Sequence, residues 1–522
     1  MGSLTRAQVL VAGGGPVGML VAAELAGQGV DVLLLESEKD TSERPRATTL
    51  HARTVQCLAR RGYLPAPEPG EGGVAVTMPF HFAGIPGLSI TAPAGEPNPI
   101  WKVPQADLER LFEAEARARG ARILRGHRVT DVAQDAAGVR VTATGPEGCA
   151  TYGGTYLVGA DGARSTVRRL AGIASETWPA TVSAMMGLVR FRDRDTVPPG
   201  WHRTPRGWLV VKEEPDGSAH VRTVGCPPAP ADRHLPLTLE ELSGEVSRIV
   251  GRDIAMADAR WLSRFSDFTR LARTYREGAV FLAGDAAHVH FPVGGQGLST
   301  GLLDALNLSW KLALAVRGGA GDTLLDTYDT ERRVAARRVI DNTRAQVALM
   351  RPDLGLDPLR TLLGGMLTSD RGNDYLSGMI SAQDTVLPAG SASLLEGTFL
   401  QNAVLYTPEG RSDVIGLLRE GKPLLLLFGE EGNRYLDAAR DWAAIVRVVH
   451  CVPTGAVPCA ALLVRPDGYI AWASDGGGLA DTLRAYFGEE TVTGAVSSSV
   501  TGAVTGTEAV PGGDPEAVPG SC

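Results

Sequence analysis

Residues 9–36 read VLVAGGGPVGMLVAAELAGQGVDVLLLE. Residues 9–12 are a short apolar run that ends in glycines, 18–29 have the small-residue composition of a helix packed close to a sheet, and 30–35 are a second apolar run ending at Glu36. Strand, glycine turn, helix and strand are the opening of a doubly wound α/β domain. Gly13, Gly15 and Gly18 stand in the spacing G-x-G-x-x-G between the first strand and the first helix. The first glycine permits the tight turn, the second lets backbone approach a pyrophosphate, and the third allows close helix packing. The phosphates then sit at the helix start, beside Pro16 and Val17, where free N–H groups and the helix dipole favour anions. Glu36, 18 residues beyond Gly18, ends the second strand, where an acid accepts hydrogen bonds from a ribose diol. The motif by itself does not separate NAD from FAD.

Working outward, 105–119 (QADLERLFEAEARAR) is an amphipathic helix, followed by strand candidates near 123, at 139–144 and at 156–158. From 178 to 267 the pattern changes to short alternating runs, LVRF, GWLVV and HVRTV, broken by Pro and Gly. This predicts an antiparallel sheet, read as an inserted substrate domain. At 279–283 an apolar strand runs into GDAAH, and a long helix follows at 297–317, so the nucleotide domain resumes. Between 396 and 487 lie LLLLF, a helix at 435–444, VRVVH and the hairpin-like ALLVRPDGYIAWA, a third α/β unit. Lacking C-x-x-C, it is not a dithiol oxidoreductase, and its expected role is packing or dimerisation. The end of the chain repeats TGAV without periodicity and reads as disordered. The expected division is 1–177 and 276–395 for the split nucleotide domain, 178–275 for the substrate domain with 74–100 a candidate contributor, 396–488 for the third unit, and 489–522 for the tail.

Composition narrows the function. The 522 residues suit roughly two to four domains, and 44% hydrophobic with 21% charged residues is ordinary for a globular protein. A net charge of -8 argues against a broad nucleic-acid surface. Cys57, Cys149, Cys226, Cys451, Cys459 and Cys522 are scattered and signal no zinc site. The start of the chain has no leader pattern and no stretch of about 18 apolar residues exists to span a bilayer, so a cytoplasmic protein without membrane contact is expected.

Two further segments decide the cofactor. Residues 156–168 read YLVGADGARSTVR and 280–298 read VFLAGDAAHVHFPVGGQGL. With the N-terminal glycines, in the same order, they resemble the para-hydroxybenzoate hydroxylase family, the class A FAD-dependent aromatic monooxygenases. The resemblance implies that Asp285 hydrogen-bonds the FAD ribitol, and that Pro292, Gly294, Gly295, Gly297 and Leu298 form the loop and helix start beside the isoalloxazine ring. Asp161 and Gly162 match a second motif associated with FAD and the nicotinamide cofactor, although D-G is also a common turn dipeptide. Arg46 matches an arginine that reaches the cofactor phosphates, and Gln105 a glutamine that contacts FAD. Either could instead be an ordinary surface or capping residue. His288 and His290 make a weak metal signal and are read as structural or substrate-lining. The segment PRATTLHARTVQ, the third unit and LLVRPDGYIAWA most resemble hydroxylases of aromatic polyketide biosynthesis, whose third domain is thioredoxin-like without redox cysteines. Two departures stand out: 297–300 read GLST where the family commonly has Gly-Met-Asn-Thr, and Gln56 stands where an acidic residue often follows.

The implied activity is hydroxylation of a polycyclic aromatic polyketide in antibiotic biosynthesis, consuming O2 and NADPH or NADH, through a C4a-hydroperoxyflavin, without a metal. No catalytic side chain can be named. Met185, Met186, Phe191, Trp201, Trp208 and Trp261 are candidates to line a broad flat pocket, with no more than half expected to touch ligand because strand residues alternate faces. Baeyer–Villiger oxidation, hydroxylation coupled to rearrangement or dehydration, and a nonenzymatic FAD-binding polyketide carrier remain alternatives, as do monomer and homodimer.

Overall fold

The computed structural model describes residues 5–44, 46–67, 74–193, 197–225, 236–453 and 457–488. The expected disorder of 489–522 falls outside them, as do Cys226 and Cys522. The helices used below are α1 (Pro16–Gly27), α2 (Ala52–Arg60), α3 (Gln105–Ala118), α4 (Thr166–Leu170), α5 (Leu239–Val250), α6 (Gln296–Val316), α7 (Asp322–Leu349), α8 (Asp357–Leu367) and α9 (Asp370–Ser381).

Val9–Ala12 and Val32–Glu36 are buried almost throughout, as strands covered on both faces must be. They lie in a six-stranded sheet of order Arg276–Glu277, Val280–Leu282, Tyr156–Gly159, Val9–Ala12, Val32–Glu36, Arg122–Arg125. All neighbours pair parallel except the first two. Val280–Leu282, far along the chain, returns beside Tyr156–Gly159, so the nucleotide fold is split. Helix α1 has almost no polar face because it packs between the sheet, α3 and α6.

Thr5–Arg6, Gly148–Gly154, Gly138–Gly145 and Arg128–Asp135 make a separate sheet. Only the Gly138–Gly145 strand was legible, because the residues of Arg128–Asp135 are largely exposed and carry no apolar run.

The alternating segments form a five-stranded antiparallel sheet of order Gly200–Thr204, Gly207–Glu213, Ala219–Gly225, Ser183–Phe191, Met256–Ser266. Helix α5, started by a Thr238–Glu241 capping box, covers one face through Leu242, Val246 and Ile249 against Val189, Leu209 and Val221. The other face meets the hairpin Val76–Phe82 and Ile85–Ala92 and the loop 291–295: Ala184, Trp208 and Val224 share a core with Phe82, Ile90, Phe291 and Val293. Helices α8 and α9 pack on the Ile85–Ala92 strand.

The C-terminal unit has a four-stranded sheet of order Arg447–Cys451, Leu424–Phe428, Ala461–Val464, Ile470–Ala473, the first pair parallel and the rest antiparallel. This mixed α/β arrangement is the thioredoxin-like one. The helix expected at 435–444 is shorter: Leu436–Ala439 gives way to a 3-10 turn, Arg440–Trp442, which drives Trp442 into a core shared with Trp472 and with Trp310 of α6. No helix among the described residues is long and apolar enough to cross a membrane.

Candidate functional site

The three motif glycines have different surroundings. A Cβ on Gly13, whose φ is +104°, would lie 2.4 Å from Ala160 O, and one on Gly18 would lie 1.9 Å from Gly13 O. These two close the turn and pack α1 on the sheet. A Cβ on Gly15 would meet no atom within 4 Å, and α1 begins there without a side-chain cap. Gly15 therefore borders open space at a helix N-terminus, with Pro16 and Val17 next to it, the setting a pyrophosphate needs. Val17 itself packs beneath Gly284 and Gly301, tying α1 to α6. Glu36 accepts from Gly14 N and, at 2.6 Å, from Glu38 N, and so fixes the rim of the cleft.

Asp161 is half-buried. Its Oδ2 accepts from Thr166 N at 2.7 Å and Val167 N at 3.0 Å, capping α4, while its Oδ1 is buried without a partner. Gly162 follows with a φ of +78°. At the end of the same motif Arg168 reaches across to Ala286 O at 2.7 Å. Asp285, next to that carbonyl, makes no hydrogen bond or ion pair with a described residue and is open to solvent. Burial of its surroundings nevertheless raises its pKa above the ordinary carboxylate value, against the pull of His288 and Arg46. Accessible yet hemmed in, Asp285 sits on the floor of a cleft, with Arg46 close enough for their charges to interact. Gln105 is the first residue of α3, and its N–H donates to Ala47 O at 3.0 Å, which brings it beside Arg46.

Asp304 of α6 holds this region together. Its Oδ2 accepts from Gly284 N at 3.0 Å and pairs with His288 Nε2 at 2.8 Å, and its Oδ1 pairs with Arg332 Nε at 2.8 Å. Burial opposes its charge, but Arg332 and His288 hold its carboxyl below the ordinary range. His288 is thereby structural rather than substrate-lining.

The loop after Phe291 turns through Gly294 and Gly295, at φ of +73° and +65°, and α6 starts without a side-chain cap. Pro292 is exposed, Gly295 and Gly297 are half-buried, and Leu298 is buried. His51 Nε2 donates to Gly294 O at 2.7 Å, and Ser299 Oγ accepts from His51 N at 3.1 Å, which gives the departure at Ser299 a tethering role. Burial pushes the His51 imidazole down to about 4. His290 is likewise down at about 4 through burial and the charge of His288, and its Nε2 is buried without a partner beside Gly297. Gln56 accepts from Arg53 at 2.9 Å, and Arg53 is otherwise satisfied by Ala382 O and Gln383 O.

Beyond this loop lies the face of the middle sheet that α5 does not cover. Met186, Trp201 and Trp261 fall on it by strand register and keep some exposure. Trp208 is on the same face but buried, donating its Nε1 to Met350 O at 2.5 Å. Met185 and Phe191 pack on the α5 side.

Residues 6–343 match the family described as FAD binding domain, and residues 393–489 match that described as aromatic-ring hydroxylase, C-terminal. The chain belongs to the FAD-binding aromatic-ring hydroxylases. Over 510 residues it is 38% identical to the 12-dehydrotetracycline 5-monooxygenase/anhydrotetracycline 6-monooxygenase of Streptomyces rimosus subsp. rimosus, covering 92% of this chain and 99% of the relative. It is 36% identical over 486 residues to the dialkyldecalin synthase of Streptomyces rugosporus, covering 92% and 98%. The solved structure of the anhydrotetracycline hydroxylase OxyS from Streptomyces rimosus superposes with a TM-score of 0.83 at 36% identity, covering 93% of this chain and all of that one. This hydroxylase is a flavin-dependent aromatic monooxygenase, and FAD is its cofactor.

The residues present fit that cofactor: an open cradle at Gly15, an unpaired carboxylate at Asp285, and an orphaned buried oxygen on Asp161. Contacts tie several of these residues together: Gly13 abuts Asp161 and Gly18, Gly14 N donates to Glu36, and Gln105 N donates to the residue after Arg46. Sequence reasoning missed the residues that hold them, Asp304, Arg332, Arg168 and His51. Arg168 stood at the end of a quoted motif and His51 inside another, but only the fold shows what they touch.

Proposed function

We propose that this hydroxylase inserts one atom of O2 into a polycyclic aromatic polyketide lying on the open face of the middle sheet, with NADPH or NADH as reductant, in the making of an antibiotic. The observation that carries this reading is the position of that face: its first layer, Ala184, Val224 and Phe265, packs against Phe291 and Val293 of the loop that leads into α6. A flat apolar platform thus adjoins the flavin loop. The relative that acts on anhydrotetracycline supports a fused-ring substrate.

In this reading Gly13, Gly15, Pro16, Val17 and Gly18 carry the FAD pyrophosphate and Glu36 its ribose. Asp285 takes the ribitol hydroxyls, for which a free carboxylate is well suited. Arg46 and Gln105 close over the cofactor. Pro292, Gly295, Gly297 and Leu298 shape the edge of the isoalloxazine ring, where the uncapped start of α6 favours negative charge. Bound FAD supplies electron transfer from NAD(P)H and activation of O2. The protein's own part is to orient the ring and keep water out, and the buried, neutral His51 and His290 beside the loop keep its floor uncharged. NAD(P)H, lacking a second glycine motif of its own, binds transiently near Arg46 and Asp161. Residues 1–177 with 276–395 form the flavin unit, 178–275 with the 74–100 hairpin the substrate unit, and 396–488 a buttress.

The test is mass spectrometry of products under ¹⁸O2, comparing a tetracyclic quinone-phenol with para-hydroxybenzoate. Label in the tetracyclic product is expected; label only in the single-ring product refutes the polyketide assignment. A second reading, ring closure without oxygen transfer, is favoured by the dialkyldecalin synthase relative. In that case product forms with no NAD(P)H oxidised and no ¹⁸O gained.

A further inference from the structure

One face of α7 reaches three separate parts of the molecule. Asn342, Gln346 and Met350, the residue that ends the helix, recur every four positions and so lie one above another. Asn342 Nδ2 donates to Gln296 Oε1 at 3.1 Å, at the start of α6. Gln346 Oε1 accepts from Ala83 N at 3.0 Å, at the tip of the hairpin. Met350 O accepts from Trp208 Nε1 at 2.5 Å, in the middle sheet. The flavin loop, the hairpin and the sheet are each held by this one helix face.

Gln346, fully buried, is the middle member. A backbone N–H only donates, so Ala83 N fixes which end of the Gln346 amide is oxygen. Its Nε2 then donates to Asn342 Oδ1 at 3.2 Å, and the same nitrogen lies 3.2 Å from where a Cβ of Gly294 would stand. A single amide group therefore separates the hairpin tip from the flavin loop. The chain ends on Gln296 Nε2, which is buried and has no partner among the described residues. An unpaired buried donor is costly, and apolar side chains of the same shape would serve packing at least as well. The value of the chain lies in the positions it fixes.

The tip itself is constrained. Ala83 has a φ of +53° and Gly84 of +77°, and an alanine stays in the left-handed region only when its surroundings hold it there. A Cβ on Gly84 would lie 2.7 Å from the Trp208 ring and 2.9 Å from the Trp201 ring, so the turn is wedged against both. A second route leads from the tip back to the flavin loop. Gly84 N donates to His81 Nδ1 at 3.4 Å, His81 stacks on Phe80 at 4.8 Å, Phe80 meets His51 nearly at right angles at 5.3 Å, and His51 Nε2 donates to Gly294 O at 2.7 Å. Phe80, His81 and Trp201 along this route keep some exposure, so they offer a surface to a ligand.

We propose that Gln346 is a positioning residue for the substrate: it sets the gap between the hairpin tip and the flavin loop, and that gap selects a rigid fused-ring system over a single ring. This rests on the open face of the middle sheet being the substrate platform. A fused ring system has no torsion with which to adapt, so a small shift of the wall carrying Phe80 and His81 is felt in full by a ligand that spans from Trp201 to the flavin loop. A single ring spans less and is indifferent to the same shift.

The experiment uses the FAD-loaded protein, with 2-hydroxyanthracene as the fused-ring probe and para-hydroxybenzoate as the single-ring one. Equilibrium dialysis gives affinity, and the change in the long-wavelength absorption band of the flavin, where neither probe absorbs, reports placement; neither reading needs turnover. The native protein is expected to bind the fused probe about tenfold or more tighter than the single ring and to shift the flavin band with it. Gln346→Leu should lose about tenfold in affinity for the fused probe together with the band shift, and keep the single ring within about twofold. Gln346→Glu, which retains an acceptor for Ala83 N, should recover most of both. Gly84→Ala drives the same turn off Trp201 and Trp208 without touching the amide chain and should show the same selective loss, so the proposal stands or falls even if Gln346→Leu does not fold. Fused-ring affinity and flavin band unchanged in either variant, both probes weakened alike, or a native protein without preference for the fused probe overturns the proposal. Selective binding of a probe that never gains ¹⁸O leaves the positioning role standing and counts against the hydroxylation reading alone.

Discussion

A Cβ at Gly15 would meet no protein atom, whereas one at Gly18 would collide with Gly13 O at 1.9 Å. The two glycines should therefore fail differently. Gly15→Leu is expected to fold with a near-native melting temperature and to purify colourless, and Gly18→Leu to yield little folded protein. The flavin-to-protein absorbance ratio and a thermal melt check both. Glu36→Ala removes an acceptor used by Glu38 N and, in our reading, by the ribose. Loss of a charged acceptor is worth about 1.5–3 kcal/mol, so FAD affinity should fall about tenfold or more, measured by flavin fluorescence titration. Unchanged affinity in both Gly15→Leu and Glu36→Ala would remove the glycine cleft from cofactor binding. His51, His81 and His290 are each pushed by burial from 6.5 to about 4. A depressed histidine pKa means the unfolded chain binds the extra proton first. The stability from these neutral imidazoles is thus full above pH 6.5 and lost as pH falls toward about 4, on the order of 3 kcal/mol for the fully buried His51. His51→Gln, which keeps a donor for Gly294 O, should melt with a shallower decline between pH 6.5 and 4.5. A slope identical to that of the native protein would show that His51 is charged in the folded state.

At the scale of elements, α7 joins two parts of the molecule through neighbouring residues. Glu331 pairs with Arg465 of the C-terminal unit through 2.8 Å contacts and with Lys311 of α6 at 2.8 Å, and Arg465 also pairs with Asp467 at 2.6 Å. Asp467 accepts from Asn307 of α6 at 3.1 Å. One residue on, Arg332 holds Asp304, which holds Gly284 N and His288 below Asp285. All these charges are buried, so removing one partner strands another. Glu331→Gln should cost about 3–5 kcal/mol, and the double variant Glu331→Gln with Lys311→Met should cost less than the single one, because the single one leaves the Lys311 ammonium unpaired while in both Arg465 keeps Asp467. Denaturant unfolding gives both values. A double variant less stable than the sum of the singles would mean that the network contributes more than mutual compensation.

For the whole molecule, the C-terminal unit shares a core with the flavin unit: Trp442, Trp472 and Leu463 pack with Trp310, Leu314 and Leu324. Arg53 and Arg60 of α2 lie on the Phe399 ring at 3.6 Å and 4.5 Å from its centroid. A chain ending at residue 395 is therefore expected to be insoluble or to lose FAD. Soluble, yellow truncated protein would show that the unit is a detachable appendage. The strand, glycine turn, helix and strand at 9–36 were legible in the sequence because their parts are local: Gly13, Gly15 and Gly18 lie within one turn, Glu36 follows at the end of the next strand, and 156–168 and 280–298 each carry a loop whose spacing sets its backbone. The middle sheet was legible as alternation, which gives two faces but not which one α5 covers, so Met185 and Phe191 could not be told from Met186 and Trp261. Arg128–Asp135 was hidden because an exposed edge has no apolar signature. What only the tertiary structure decided are the pairings between distant segments: Asp304 with Gly284 and Arg332, His51 with Gly294, and Arg465 with Glu331. Local backbone preference and hydrophobic period act over a few residues and are written in composition. A buried charge finds its partner only when the fold has excluded water around both, and no spacing along the chain encodes that.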